Sequence, residues 1–276
     1  MKRTTYILIA ALLAGALAIC SVIFYLSLHT TDWEDTFMKI GGSRQTVALP
    51  PCRVVKLVSA PVQWKPKNWK GVIEAERMFS FRKAPLTVLP TDSASGSLSL
   101  AGDMLSFLTV ASAGDTAVVT FDFPVEKLEE RFQKKNWVKI ESERMRMSIP
   151  ADVHTVLLSV EGMETEFRGF RRDTLSFRSS ESVQMNDCRF ASLYPCSQSL
   201  SLNSGEVEDL YLDLDVTRYW GVKVDAFRIG TEHLTGSGHY HNHLQKGECR
   251  RVLWTPKDGT ASLDMTLNET ARIELE

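Results

Sequence analysis

Ser199-Leu-Ser-Leu-Asn-Ser-Gly-Glu-Val-Glu-Asp-Leu-Tyr-Leu-Asp-Leu-Asp215 is the stretch that decides the fold. Apolar and polar residues alternate with period two on both sides of Asn203-Ser204-Gly205, which predicts two half-buried strands meeting at a turn. Leucines point one way along each strand, and Ser or Asp point the other. The pattern recurs in Val156-Leu-Leu158-Ser-Val160, Thr174-Leu-Ser-Phe177, Val222-Lys-Val224, Ala226-Phe-Arg-Ile229 and Leu263-Asp-Met-Thr-Leu267. Each run is short and bounded by Gly, Ser, Asn or Asp, so this part of the chain reads as all-β.

Thr174-LSFRSSE-181 aligns with Ser199-LSLNSGE-206, and related phrases stand at Ser97-LSLAGD-103 and Ser262-LDMTLNE-269. Units of about 20–25 residues, each a strand and a polar turn, predict the stacked coils of a β-solenoid. A β-sandwich or meander reuses the same Ser-Leu-x-Leu strands and is the alternative. Helical spacing outside the N-terminus is confined to 124–137, where Val125, Leu128 and Phe132 follow Pro124. The chain therefore divides into a first β segment at 36–123, a short helix or turn at 124–137, and a solenoid-like segment at 138–276.

Ahead of these stands an unbroken apolar run, Tyr6 to Leu28, with Lys2 and Arg3 before it and Asp32, Glu34 and Asp35 after it. Its 23 residues at ~1.5 Å rise span ~34 Å, enough for a hydrocarbon core of ~30 Å. The basic flank predicts a cytoplasmic tail at 1–5, a transmembrane anchor at 6–28, a linker at 29–35, and export of 29–276 to the periplasm or the cell exterior. A cleaved signal would have a shorter core and a small-residue cleavage site. Lipidation at Cys20 would want a small residue where Ile19 stands.

The opening Thr36-Phe-Met-Lys-Ile40 and the runs Asp173-TLSF, Ser199-LSLNSGEVEDLYLDLD-215 and Ala226-FRIGTEHLTGSG-238 resemble the bacterial auto-transporter adhesin head GIN domain family. The resemblance covers roughly residues 36–270 and implies a β-helical envelope domain. It carries no catalytic residues.

Formal net charge is −2, with both signs mixed along the chain, which argues against nucleic acid as a partner. Cys52, Cys188, Cys196 and Cys249 follow the anchor, and four cysteines permit two disulfides in three connectivities. The most local pairing is Cys188 with Cys196, leaving Cys52 with Cys249; buried free thiols are the alternative.

No G-x-S-x-G, phosphate-binding glycine loop or His-Glu-x-x-His occurs, so a non-enzymatic domain without a cofactor is expected. Asp213 and Asp215 share a strand face with a separation of ~7 Å, the low end for inverting glycoside hydrolysis. Arg218, Lys223 and Asp225 follow them; a solvated strand face has the same pattern. Tyr211, Tyr219 and Trp220 beside these acids are candidates to stack on sugar rings. His239, His241 and His243 share one strand face, so a neighbouring pair could hold zinc or copper with further ligands from elsewhere. The basic, Trp-bearing loop Trp64 to Lys70 suits a membrane interface, and Asn268-Glu-Thr270 matches the glycosylation pattern.

These features predict a membrane-anchored envelope protein whose β domain binds or scaffolds. Its partners are the membrane through residues 6–28 and a glycan or another envelope protein. The rival readings are a polysaccharide-binding or polysaccharide-cleaving periplasmic domain and an accessory subunit of a membrane complex, pairing through Ala11, Gly15 and Ala18.

Overall fold

A computed structural model describes residues 3–29, 37–60, 78–133, 135, 137–245 and 248–267. The Trp64–Lys70 loop and Asn268–Thr270 lie outside the described residues. The chain divides into two units, Met1–Phe37 and Met38–Glu276.

The first unit is the helix Arg3–His29. Its stretch Thr5–Ser27 has a mean hydropathy of 2.8, and by length and composition it is able to cross a membrane. Leu and Ala favour helix, and no proline interrupts the run.

The second unit is built mostly of strands. Its backbone is parallel wherever the repeat is clearest. Leu175 lies beside Leu193, and Leu193 beside Leu210, steps of 18 and 17 residues. Leu212 lies beside Leu234, and Leu234 beside Trp254, at steps of 22 and 20. Identical inward positions thus stack on one another, and Leu175, Leu193, Leu210 and Leu234 are each 0% exposed. Burying each such side chain stabilises by roughly 1.5–3 kcal/mol relative to exposure. They belong to one continuous hydrophobic core.

The strand Arg171–Asn186 shifts register between Ser179 and Ser182. Its first part pairs with Thr155–Ser159 and its second with Thr165–Arg168, so one strand feeds two parallel stacks. Cys188–Leu202 does the same, pairing with Gly205–Asp213 early and Tyr219–Val222 late. This corrects the repeat alignment: Thr174 pairs with Ser192, and Ser199 with Ser182. A Ser-Leu-x-Leu phrase therefore occurs once per stack, and the aligned segments sit in different stacks. At the corner between them, Gly205 has φ +132°, and a Cβ there would collide with the Cys188 carbonyl.

The strands do not close into a solenoid. They form a 15-stranded sheet with smaller sheets of three and two strands. The first half explains why, because antiparallel pairs interrupt any uniform winding. Arg44–Ala48 runs antiparallel to Ser97–Ala101, and Leu108–Ala113 to Thr116–Phe121. Within 124–137 stand a 3-10 turn, Val125–Lys127, and a short helix, Glu130–Gln133, with Leu128 and Phe132 buried.

The cysteines do not pair as the spacing suggests. Cys52, Cys188, Cys196 and Cys249 are free thiols. Cys188 and Cys196 lie on one strand, where eight residues of extended chain place them ~26 Å apart, far beyond disulfide reach. Cys249 lies on an outermost strand of the 15-stranded sheet, and Cys52 precedes Val54–Ser59, several strands away across the stack.

Candidate functional site

Tyr194, Tyr211 and His233 stand on three successive parallel strands, Cys188–Leu202, Gly205–Asp213 and Phe227–Gly236. Leu193, Leu210, Leu212 and Leu234 beside them are buried, so the three rings project to the outer face. Tyr194 and Tyr211 stack with centroids 4.5 Å apart and planes at 9°. Tyr211 and His233 stack at 4.2 Å and 12°. The parallel ladder itself creates this column, since strands ~4.8 Å apart bring equivalent side chains to ring-stacking distance. His233 Nε2 donates to Asp209 Oδ1 at 2.9 Å, which fixes the imidazole plane. Partial burial in the column, then the Tyr194 and Asp209 neighbours, push the Tyr211 phenol up.

A ring inside a stack has both faces covered. Tyr194, at the end, is 41% exposed, and the residue beside it on the next strand is Ser176. One aromatic face therefore opens above a small side chain, with Thr174 and Ser192 paired two residues along. Such a shelf takes a flat ring with polar edges.

Of the residues singled out from the sequence, Tyr211 alone belongs to this column. Asp213 ends its strand and Asp215 lies in the turn beyond. Lys257 Nζ reaches Asp213 Oδ1 at 2.6 Å and Asp215 Oδ2 at 2.8 Å. Asp215 Oδ1 also accepts the Ser237 N–H at 2.9 Å, the Ser237 hydroxyl at 3.0 Å and the Tyr240 hydroxyl. The Lys257 ammonium first, then the Ser237 N–H and Tyr240 hydroxyl, hold the Asp215 carboxyl well below the usual carboxylate range. A glycosidase acid needs the opposite shift, toward the protonated form. Arg218 and Lys223 are exposed and make no ion pair with these acids among the described residues.

Tyr219 and Trp220 lie on Tyr219–Val222, which pairs with Ser199–Leu202 in the second stack. Tyr219 is 68% exposed, while Trp220 packs against the core. Tyr194 and Ser199, their respective neighbours, are five residues apart on one strand, roughly 16 Å. Tyr211 and Tyr219 thus do not meet.

His239, His241 and His243 do share the exposed face of His239–Leu244. His239 Nδ1 is 2.6 Å from Ser262 Oγ, and His241 Nδ1 is 3.4 Å from Asp264 Oδ2. His243 pairs with Thr266, which adds no strong ligand. Among the described residues no group of three or more His, Cys, Asp or Glu is placed to hold a metal ion.

Tyr194, Asp209 and Lys257 were not reached from the sequence, and His233 stands out there only as lying close before His239, His241 and His243. Their signal is spacing: once the coil steps of 17 and 22 residues are known, Tyr194 and Tyr211, then Tyr211 and His233, fall at equivalent positions. Glu232 was also unreached. It occupies the inward position beside Leu210, is 0% exposed, and neither carboxyl oxygen makes a hydrogen bond of ordinary geometry. Burial first, then nearby Glu248, push its carboxyl up to about 8.

No family model and no curated protein matches the chain. Among solved structures it is similar to a "putative adhesin" from Bacteroides fragilis, at 10% identity and TM-score 0.42, covering 83% of this chain and 96% of that one. It is similar also to a "putative adhesin" from Parabacteroides distasonis, at 6% identity and TM-score 0.38, covering 84% and 96%. A "putative lipid binding protein" from the same species matches at 11% identity and TM-score 0.35, covering 83% and 96%.

Proposed function

We propose that this chain is a membrane-anchored envelope protein whose β unit binds carbohydrate without cleaving it, through the open end of the aromatic column. The observation that carries the reading is the in-register stack Tyr194–Tyr211–His233, whose end ring Tyr194 is exposed with one free face above Ser176. The non-catalytic part rests on Asp213 and Asp215, both bound by Lys257. The helix Arg3–His29 serves as the anchor, with its basic flank in the cytoplasm and the β unit beyond the inner membrane.

Binding is tested with the full chain in detergent micelles against an array of neutral glycans. Tyr194→Ala should weaken retention roughly 3- to 10-fold, the scale of one lost aromatic contact, with no product released from any glycan. Equal retention by wild type and Tyr194→Ala would refute the shelf. Orientation is tested by protease treatment of a C-terminally tagged chain. The tag should survive in spheroplast-derived inside-out vesicles and be lost in spheroplasts.

A further inference from the structure

A second polar surface lies in the other stack. Across neighbouring strands runs the row Thr46–Ser99–Arg146–Thr87–Glu166, each residue paired in register with the next. Met145 and Met147 are buried on either side of Arg146, so this row faces outward. Arg44 and Arg144 flank it, with Arg44 Nη2 donating to the Arg144 carbonyl at 2.9 Å. Arg168 closes the far end. Four guanidinium groups thus border a floor of small hydroxyls, in a chain whose net charge is −2.

One carboxylate organises two of these arginines. Glu166 is only 9% exposed. Its Oε1 accepts from Arg168 Nε at 2.9 Å, Arg168 Nη2 at 2.6 Å and Asn186 Nδ2 at 2.7 Å. Its Oε2 accepts from Arg144 Nη1 at 3.0 Å, and that same nitrogen donates to Thr87 Oγ1 at 2.9 Å. The Arg144 and Arg168 side chains nonetheless remain 52% and 58% exposed. Each guanidinium is pinned along one edge and presents the other to solvent. A planar fork held this way has already lost the rotamer freedom that anion binding would otherwise remove.

We propose that this face is a second binding site, specific for acidic polysaccharide, whose anionic groups meet Arg44, Arg144, Arg146 and Arg168 while its hydroxyls meet Thr46 and Ser99. Guanidinium is the group whose geometry matches carboxylate and sulfate. Hydroxyl-bearing floors suit a polyhydroxylated chain. A bilayer interface would instead draw Trp, Tyr or large apolar side chains, and that row contains none.

The test uses the full chain in phosphatidylcholine nanodiscs, with polygalacturonate or neutral dextran immobilised and glycerol 1-phosphate as a headgroup-sized competitor. Binding to polygalacturonate should weaken as salt rises, and dextran should not compete at this site. Arg44 and Arg146 do not touch Glu166, so the double variant R44Q/R146Q keeps the pinned network. It should lose polygalacturonate affinity roughly tenfold or more, the scale of lost charge-assisted hydrogen bonds. R146K should recover part of that loss, and R146E alone should lower affinity if the double variant proves unstable. Tyr194→Ala should leave polygalacturonate binding unchanged, which separates this site from the aromatic shelf. Absence of binding, equal affinity in R44Q/R146Q and R146E, or displacement by glycerol 1-phosphate as effective as by free polygalacturonate would overturn the proposal.

Discussion

Glu166 and Glu232 are the same residue on parallel strands of the same sheet, both buried, and they have opposite fates. Glu166 points outward and gathers Arg168, Asn186 and Arg144; burial pushes its carboxyl up, but these partners outweigh burial and leave it lowered. Glu232 points inward, in the row of Leu175, Leu193 and Leu210, where the weakly donating Cys249 thiol is its neighbour and no hydrogen bond of ordinary geometry reaches either oxygen. Burial there costs more than anything nearby returns. The difference teaches that register, through the side of the pleat it selects, decides whether a buried acid is ionised.

The largest expected effect is on pH dependence. Glu232 binds its proton more tightly folded than unfolded, so its contribution favours folding at low pH and is lost as pH rises from about 4.5 through about 8. Discounted for coupling to Glu248, the loss should be about 3 kcal/mol. Glu166 works in the opposite sense: its contribution is present above about 4.5 and is lost as pH falls through its lowered folded value. Urea unfolding followed by tryptophan fluorescence from pH 4 to 9 should therefore show stability falling on the alkaline side, and Glu232→Gln should flatten that slope. An unchanged slope in the variant would break the comparison.

Next in size is removal of the outward acid. Glu166→Leu strands Arg144, Arg168 and Asn186 without their shared acceptor and should destabilise by about 2 kcal/mol at pH 7. Glu232→Leu should act in the opposite direction, stabilising by about 1–2 kcal/mol, because it restores the leucine row and removes an unsatisfied carboxyl. Opposite signs at two buried glutamates, read by the same urea titration, are the sharpest form of the contrast.

The sequence carried the strands well because alternation is local. Ser199-Leu-Ser-Leu and Leu210-Tyr-Leu-Asp each declare their inward side without reference to anything distant. Coil length was not local. Thr174-Leu-Ser-Phe and Ser199-Leu-Ser-Leu look alike, yet they occupy different stacks, so the apparent step of 25 residues conceals a true step of 18 to Ser192. That error hid the site, since Tyr194 and Tyr211 become neighbours only at a step of 17. Lys257 was hidden for a related reason, as it reaches Asp213 from more than forty residues away. The antiparallel pairs of the first half carry the same alternation as parallel strands, so sequence could not foretell that the sheets stay unclosed.

The smallest effect separates charge from geometry at Glu166. Arg168 donates to one oxygen, Oε1, from both Nε and Nη2, and Asn186 donates to that oxygen too. Arg168→Lys keeps the positive charge but replaces the rigid fork with a flexible, more strongly hydrated ammonium. The Arg168 side chain is 58% exposed, so solvent screens the charge and the change should cost only about 1 kcal/mol. If charge alone held Glu166 ionised, Arg168→Lys would match wild type in urea, and Arg168→Gln would show the whole loss. If the fork matters, Lys and Gln should fall close together, both below wild type. Polygalacturonate affinity in the same variants extends the contrast, because a ligand read by guanidinium planes should discriminate Lys from Arg more sharply than folding does.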